Sequence, residues 1–253
     1  MTKKTINSLL YKFVFALFLL LTTSCETLNQ ASEIINKSGL INPTTAEIGL
    51  GLKQALEIGT NLSADKLASK DGYLGNLAIK ILFPTEAQKA EKTLRSLGLN
   101  SLADNVILSI NRAAEDAALE AKPIFIAAIK QMTIADASNI LLSNQNNAAT
   151  QYFKKVTNTQ LQNKFNPIIK ASLAKVGATH YWADVVKKYN QIPFVSTINP
   201  NLENYVTQKA IDGLFTEIAK EELKIRNNIG ARNGALLQKV FAYADRNKTS
   251  SNL

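Results

Sequence analysis

Across 253 residues the chain has one cysteine, one histidine, one tryptophan and two methionines. A lone thiol excludes an internal disulfide, so the core alone must stabilise the body. One histidine and one cysteine cannot supply the converging ligands of a zinc site, and no metal or cofactor is expected. GxSxG, Walker-type and GxGxxG patterns are missing, which removes common signatures of hydrolases and nucleotide binders. The glycines of "GLGLK" (49–53) lie in a helical pattern with no strand before them. His180, beside Tyr181 and Trp182, reads as a packing or surface residue. Period-two strand patterns and repeats are also lacking. "IKILFP" (79–84) is the best strand candidate, too short and isolated to build a sheet.

The single cysteine, Cys25, follows an apolar run. Lys3, Lys4 and Lys12 carry the leader's charge, no acid precedes Glu26, and 13–21 is wholly apolar. A bilayer-spanning helix needs about 20 apolar residues, so a secretory signal over 1–24 fits better. Ser24-Cys25 is similar to a bacterial lipobox, in which a small residue precedes a cysteine that is acylated and becomes the new N-terminus. Leu21 stands one place further from Cys25 than the commonest pattern prefers, with Thr22 in its place. Two or more acyl chains anchor stably, at about 0.8 kcal/mol per buried methylene. The expectation is a lipid anchor at Cys25 in a bacterial envelope, on the outer membrane facing the periplasm. Residues 25–43 read as the lipidated N-terminus and a tether, 44–245 as the body and 246–253 as a polar, frayed tail.

The 253-residue chain less its first 24 residues leaves 229, room for one large or two small domains. The 29 basic residues less the three leader lysines leave 26 against 20 acidic. That excess sits between Gln151 and Asn190, where Lys154, Lys155, Lys164, Lys170, Lys175, Lys187 and Lys188 meet only Asp184. Aromatics interleave them. Nucleic acid is not expected as a partner of an exported chain; anionic headgroups or acidic glycans are, unless the lysines are a solvated face and the aromatics core.

Helix signals dominate. Ile48, Leu52, Ala55, Leu56, Gly59 and Leu62 share one helical face. Thr85 to Gln88 has capping-box spacing, and Gly98 stands where that helix would end. Ser101 with Asp104 is expected to open the next, whose face of Ala103, Val106, Ile107, Ile110, Ala114, Ala117 and Ala121 is small. Pro123 should break or kink it and start another through Ile124, Ala128 and Met132. Thr133 with Asp136 begins a short helix, and Ala148 to Val156 a further one. Asn166-Pro167 suits an N-cap and first turn, and Gly177 an end. Further helices are expected over 179–189, from Asn199-Pro200 to about Arg226, and after Gly234. The fold expected is all-α, about eight to ten helices in one body.

The long C-terminal helix carries carboxylates in an apolar arc. With Leu214 at zero and about 100° per residue, Glu221 falls near −20° and Glu222 near 80°, between Ala210 and Phe215. Buried carboxylates need partners. Arg112 and Glu115 lie between Leu108 and Leu119 at helical spacing, Arg226 is four residues beyond Glu222, and Arg232 follows in a turn. The expectation is a buried ionic cluster joining Glu221 or Glu222 to Arg112 or Arg232, either an interhelical network or a general acid or base.

"GLKQALEIG", "DGYLGN", "INRAAEDAA", "AIKQMTIADASNIL", "NAATQYF", "ENYVTQKAIDGLF" and "EELKIR…AR…LLQKVF", in that order, resemble the bacterial domain-of-unknown-function 4197 family. The resemblance spans about 47–241 and implies a helical, exported, often lipidated protein without an assigned activity. It touches Asn111, Arg112 and Glu115; Thr150, Tyr152 and Phe153; and Glu221, Glu222, Arg226 and Arg232. The chain departs from the family in the loop Ser143 to Asn147, which replaces an expected glycine and acidic residue, and at Leu82, where a second proline is expected. The leading expectation is a non-enzymatic module binding an apolar or amphipathic ligand or a protein partner, with Asn111, Thr150, Tyr152 and Phe153 as contacts. The alternatives are an envelope enzyme using the Glu/Arg cluster and a structural spacer.

Overall fold

The computed structural model describes residues 42–175, 177–191, 198 and 201–250. The leader, Cys25 and the tether lie outside them, as do Asn199 and Pro200. Nine α-helices occur among the described residues: α1 Thr45–Ala68, α2 Gln88–Ser96, α3 Asn100–Ala118, α4 Ala121–Gln131, α5 Ile134–Leu142, α6 Ala148–Lys175, α7 Ala178–Asn190, α8 Leu202–Asn227 and α9 Ala235–Ser250. No strand occurs among them, and residues 79–84 run irregular. The fold is all-α. The last helix continues to Ser250, through residues that read as a frayed tail.

Two helices open on capping boxes. Thr44 accepts the Glu47 N–H at 3.2 Å while Glu47 Oε2 accepts the Thr44 N–H at 2.7 Å. Thr133 and Asp136 do the same for α5. Glu47 also reaches across to Lys239 of α9 at 2.7 Å. The Lys239 ammonium and then the Thr44 bonds hold its carboxyl down at about 2, from an ordinary 4.5. A carboxyl depressed in the folded state contributes stability above its unfolded value and loses it as pH falls through the folded one. The N-terminus of α1 and its tie to α9 should therefore stay closed at pH 4.5 and loosen towards pH 2. A carbon-detected NMR titration of Glu47 should show its midpoint near 2, and Lys239→Ala should move it up.

Two expected caps do not form. A 3-10 turn over Thr85–Ala87 precedes α2 with Pro84 as its cap, so the α-helix starts at Gln88 and Thr85 never reaches the N-cap position. Ser101 lies inside the first turn of α3, and Asp104 pairs instead with Arg95 at 2.9 Å. Between α2 and α3, Gly98 takes φ +76° and the chain closes a Schellman turn, with Leu99 N–H donating to the Leu94 carbonyl and Gly98 N–H to that of Arg95.

Asn166-Pro167 starts no helix. Both residues lie inside the 28-residue α6. Phe153, Thr157, Leu161, Phe165, Ile169 and Leu173 are all buried at a spacing of four. That spacing overshoots a whole turn by about 40° per step, so the stripe winds around α6 and keeps one helix packed past a proline that forfeits a single backbone bond.

Alanines line the buried face of α3. Ala103, Ala113, Ala114, Ala117 and Ala118 are fully buried, and α1, α6 and α8 all pack against this helix. α1 also meets α4, α5 and α9. The buried residues form one continuous core, with Phe125 edge-on to Phe153 at 5.1 Å and Phe83 against Trp182 at 5.7 Å. No single described helix is long and apolar enough to cross a membrane.

Candidate functional site

Glu222 projects from α8 into the junction between α5 and α6, and five donors converge on it. Its Oε1 accepts the Ala149 N–H at 2.9 Å and Arg226 Nε and Nη2 at 3.0 and 2.9 Å. Its Oε2 accepts the Thr150 N–H and Oγ1 at 2.9 and 2.8 Å. Arg226 turns the other way. Its Nη2 donates to the Ile140 carbonyl at 2.8 Å and its Nη1 to that of Leu141 at 3.3 Å. The anion thus caps the N-terminus of α6 and the cation the C-terminus of α5, each where the helix dipole favours that sign. One ion pair on α8 clamps both ends of the exposed loop 143–147.

The other charges form separate clamps. Glu115 Oε1 accepts the N–H groups of Tyr73 and Leu74 at 3.1 and 3.2 Å, while Oε2 meets Arg112 at 2.5 Å. Arg112 also holds Asp71, which has φ +67°, at 2.7 Å. Asn111 Oδ1 accepts the Ile81 N–H at 2.9 Å, and its Nδ2 donates to the Ile81 and Ile107 carbonyls. These bonds pin the irregular segment between α1 and α2. Arg232 Nε and Nη2 donate to the Ile225 and Arg226 carbonyls, capping the end of α8, and its Nη1 pairs with Asp245 at 2.7 Å.

The expected union of Glu221 or Glu222 with Arg112 or Arg232 therefore does not occur. Each arginine is spent on a nearer helix end or turn. Glu221 is partly exposed and pairs with Lys224 at 3.3 Å. Glu217 was missed by the sequence reading. It is 1% exposed and held by Lys66 and Lys220, each at 2.6 Å, and by Asn76 at 2.9 Å. Burial alone would raise its carboxyl; the two lysines and the amide outweigh that and lower it. The missed signal was Lys220, three residues along the same helix face.

Asn111, Thr150 and Phe153 are buried, with their polar atoms satisfied inside the body, and Tyr152 is half-buried against Phe153. Asn111, Thr150 and Phe153 are framework in this conformation, while Tyr152 keeps part of its surface accessible. The seven lysines of the basic segment are all exposed, while Phe153, Phe165, Trp182 and Tyr189 belong to the core. Because the buried stripe winds around α6, its lysines are dealt to several sides and build no single basic face.

One apolar niche reaches Glu222. Leu52, Ala55, Gly59, Phe153, Ile218 and Phe241 line it. Its volume is about 20 Å³, room for about one water. Small-molecule sites enclose about 300–1,000 Å³, so neither an acyl chain nor a substrate fits this niche. Among the described residues no three His, Cys, Asp or Glu side chains converge as metal ligands would.

Residues 42–242 match the family described as protein of unknown function (DUF4197). The chain belongs to this family. No curated protein and no solved structure is significantly similar to it. Every clamp above, save the Asp245 end of one, lies within the DUF4197 match.

Proposed function

We propose that this DUF4197 protein is a lipid-anchored, non-enzymatic interaction module of a bacterial envelope that works through its outer surface. The observation that carries the non-enzymatic reading is the saturation of Glu222. A carboxylate offers about four lone-pair positions, and five donors already occupy this one. Such a group is a poor general base, and the niche beside it admits no substrate. The anchor rests on the apolar leader and Ser24-Cys25.

The test is intact-mass analysis of protein extracted from membranes of the native host. The mature chain should start at Cys25 and carry acyl mass, and Cys25→Ser should leave the membrane fraction. A chain retaining Met1, or a free sulfhydryl on a soluble protein, overturns the proposal.

A further inference from the structure

Five carboxamides meet where α6 crosses α8: Gln162, Asn163 and Asn166 face Asn204 and Gln208 across an open notch of about 470 Å³. Thr207 and Pro167 complete the lining, and no charged side chain belongs to it. The volume lies within the range of small-molecule sites, unlike that of the niche at Glu222.

The amides are only partly used. Gln162 Nε2 donates to Gln208 Oε1 at 3.3 Å, and Asn166 Nδ2 to Asn204 Oδ1 at 3.1 Å and Thr207 Oγ1 at 3.4 Å. Gln208 Nε2 donates on to Asp212 at 3.1 Å. Gln162 Oε1 and Asn166 Oδ1 remain as acceptors, Asn204 Nδ2 as a donor and Asn163 as both, with no partner among the described residues. Pro167 adds to this. It has no N–H, so the Asn163 carbonyl one turn back lacks its usual helical donor.

This leftover set mixes donors and acceptors and carries no charge. An anion would find no cation in the lining and a cation no carboxylate, while an acyl chain would strand the free amides. A sugar hydroxyl both donates and accepts, and a side-chain amide offers both functions side by side. The Pro167 ring supplies the small apolar surface that a sugar's C–H face needs.

We propose that the α6–α8 notch is a binding site for a neutral saccharide. The site is independent of the anchor and of the reading at Glu222, so its failure leaves both standing.

The test uses the full-length chain in a zwitterionic, sugar-free detergent. Chitotetraose, maltotetraose and the acidic tetragalacturonate serve as probes in saturation-transfer difference NMR and titration. A neutral tetrasaccharide should receive saturation at millimolar concentration, and the acidic one should not. The double variant Asn163→Ala, Asn204→Ala should weaken binding about tenfold or more, since each lost bond is worth about 1 kcal/mol, with unchanged helical ellipticity. Asn163→Trp, which fills the notch from an exposed position, should abolish binding should the double variant not fold. No transfer to either neutral sugar, preference for the acidic one, or equal binding by the variants overturns the proposal.

Discussion

Replacing Glu222 with alanine should lower the melting temperature by on the order of 10 °C. The truncation removes an anion that caps the first turn of α6 and neutralises Arg226, which is itself 6% exposed. Arg226 then remains inside with only the Ile140 and Leu141 carbonyls as partners. Breaking a buried pair from one side costs about 3–5 kcal/mol, and about 2–4 °C per kcal/mol applies to a body of this size. Glu222→Gln should fall between, because its amide oxygen still accepts from α6 while its charge is gone. Replacing both members, Glu222→Leu with Arg226→Leu, should recover part of the loss, since no ion is left stranded. Thermal unfolding followed by ellipticity checks the series. A loss below about 1 kcal/mol for Glu222→Ala, the range of exposed pairs, would mean that the clamp does not hold the α5–α6 junction.

That clamp shows where a one-dimensional reading stops. Advancing about 100° per residue puts Glu222 among apolar neighbours, and the structure finds it buried. The same arithmetic puts Glu221 just as deep in the arc, inside its opposite edge, yet its carboxylate reaches solvent. The reason lies on the facing helix: α1 presents Gly59 there, where a Cβ would lie 3.7 Å from Glu221 Cβ. The Glu221 stem lies over the glycine while its head reaches out to Lys224. Glu217, near −60° on that wheel, falls just outside the apolar arc and is nonetheless buried. Glu217 faces the junction where α1 ends, between Lys66 in its last turn and Asn76 of the irregular segment beyond it, and that segment has no periodicity to announce it. Helix membership was legible from period and caps, as with Thr133 and Gly98. Long-range choices were not: which helix end an arginine would cap depends on tertiary approach. Pro167 misled for a related reason, since continuous packing along α6 outweighed a local stop signal.

Gly213→Ala should destabilise the body by about 2–3 kcal/mol, the opposite of what helix propensity alone demands. Exchanging a mid-helix glycine for alanine ordinarily gains about 0.5–1 kcal/mol. At Gly213, however, the new methyl would sit 2.7 Å from Tyr73 Cε1 and 3.4 Å from Ile79 Cβ. The Tyr73 ring has nowhere to go. It is fully buried, its hydroxyl donates to the Ala210 carbonyl at 2.7 Å, and its backbone N–H is tied to Glu115. Relieving the clash forces it off one of those partners, adding a hydrogen-bond loss of about 1 kcal/mol to an overpacking strain of about 1–3. Gly59→Ala on α1 is the matched control, because its methyl meets Glu221 Cβ at 3.7 Å, an ordinary contact, and it should be neutral or stabilising. A second readout ties the effect to Tyr73. Burial, then the nearby Glu115 and Glu217 charges, push its phenol far above the usual range, so it should resist alkaline titration in the native protein. Gly213→Ala should bring one tyrosine back towards ordinary titration by ultraviolet difference absorbance, and Gly59→Ala should not. Equal stabilisation by both substitutions would show that α8 and the segment before α2 are not in the close contact that Gly213 permits.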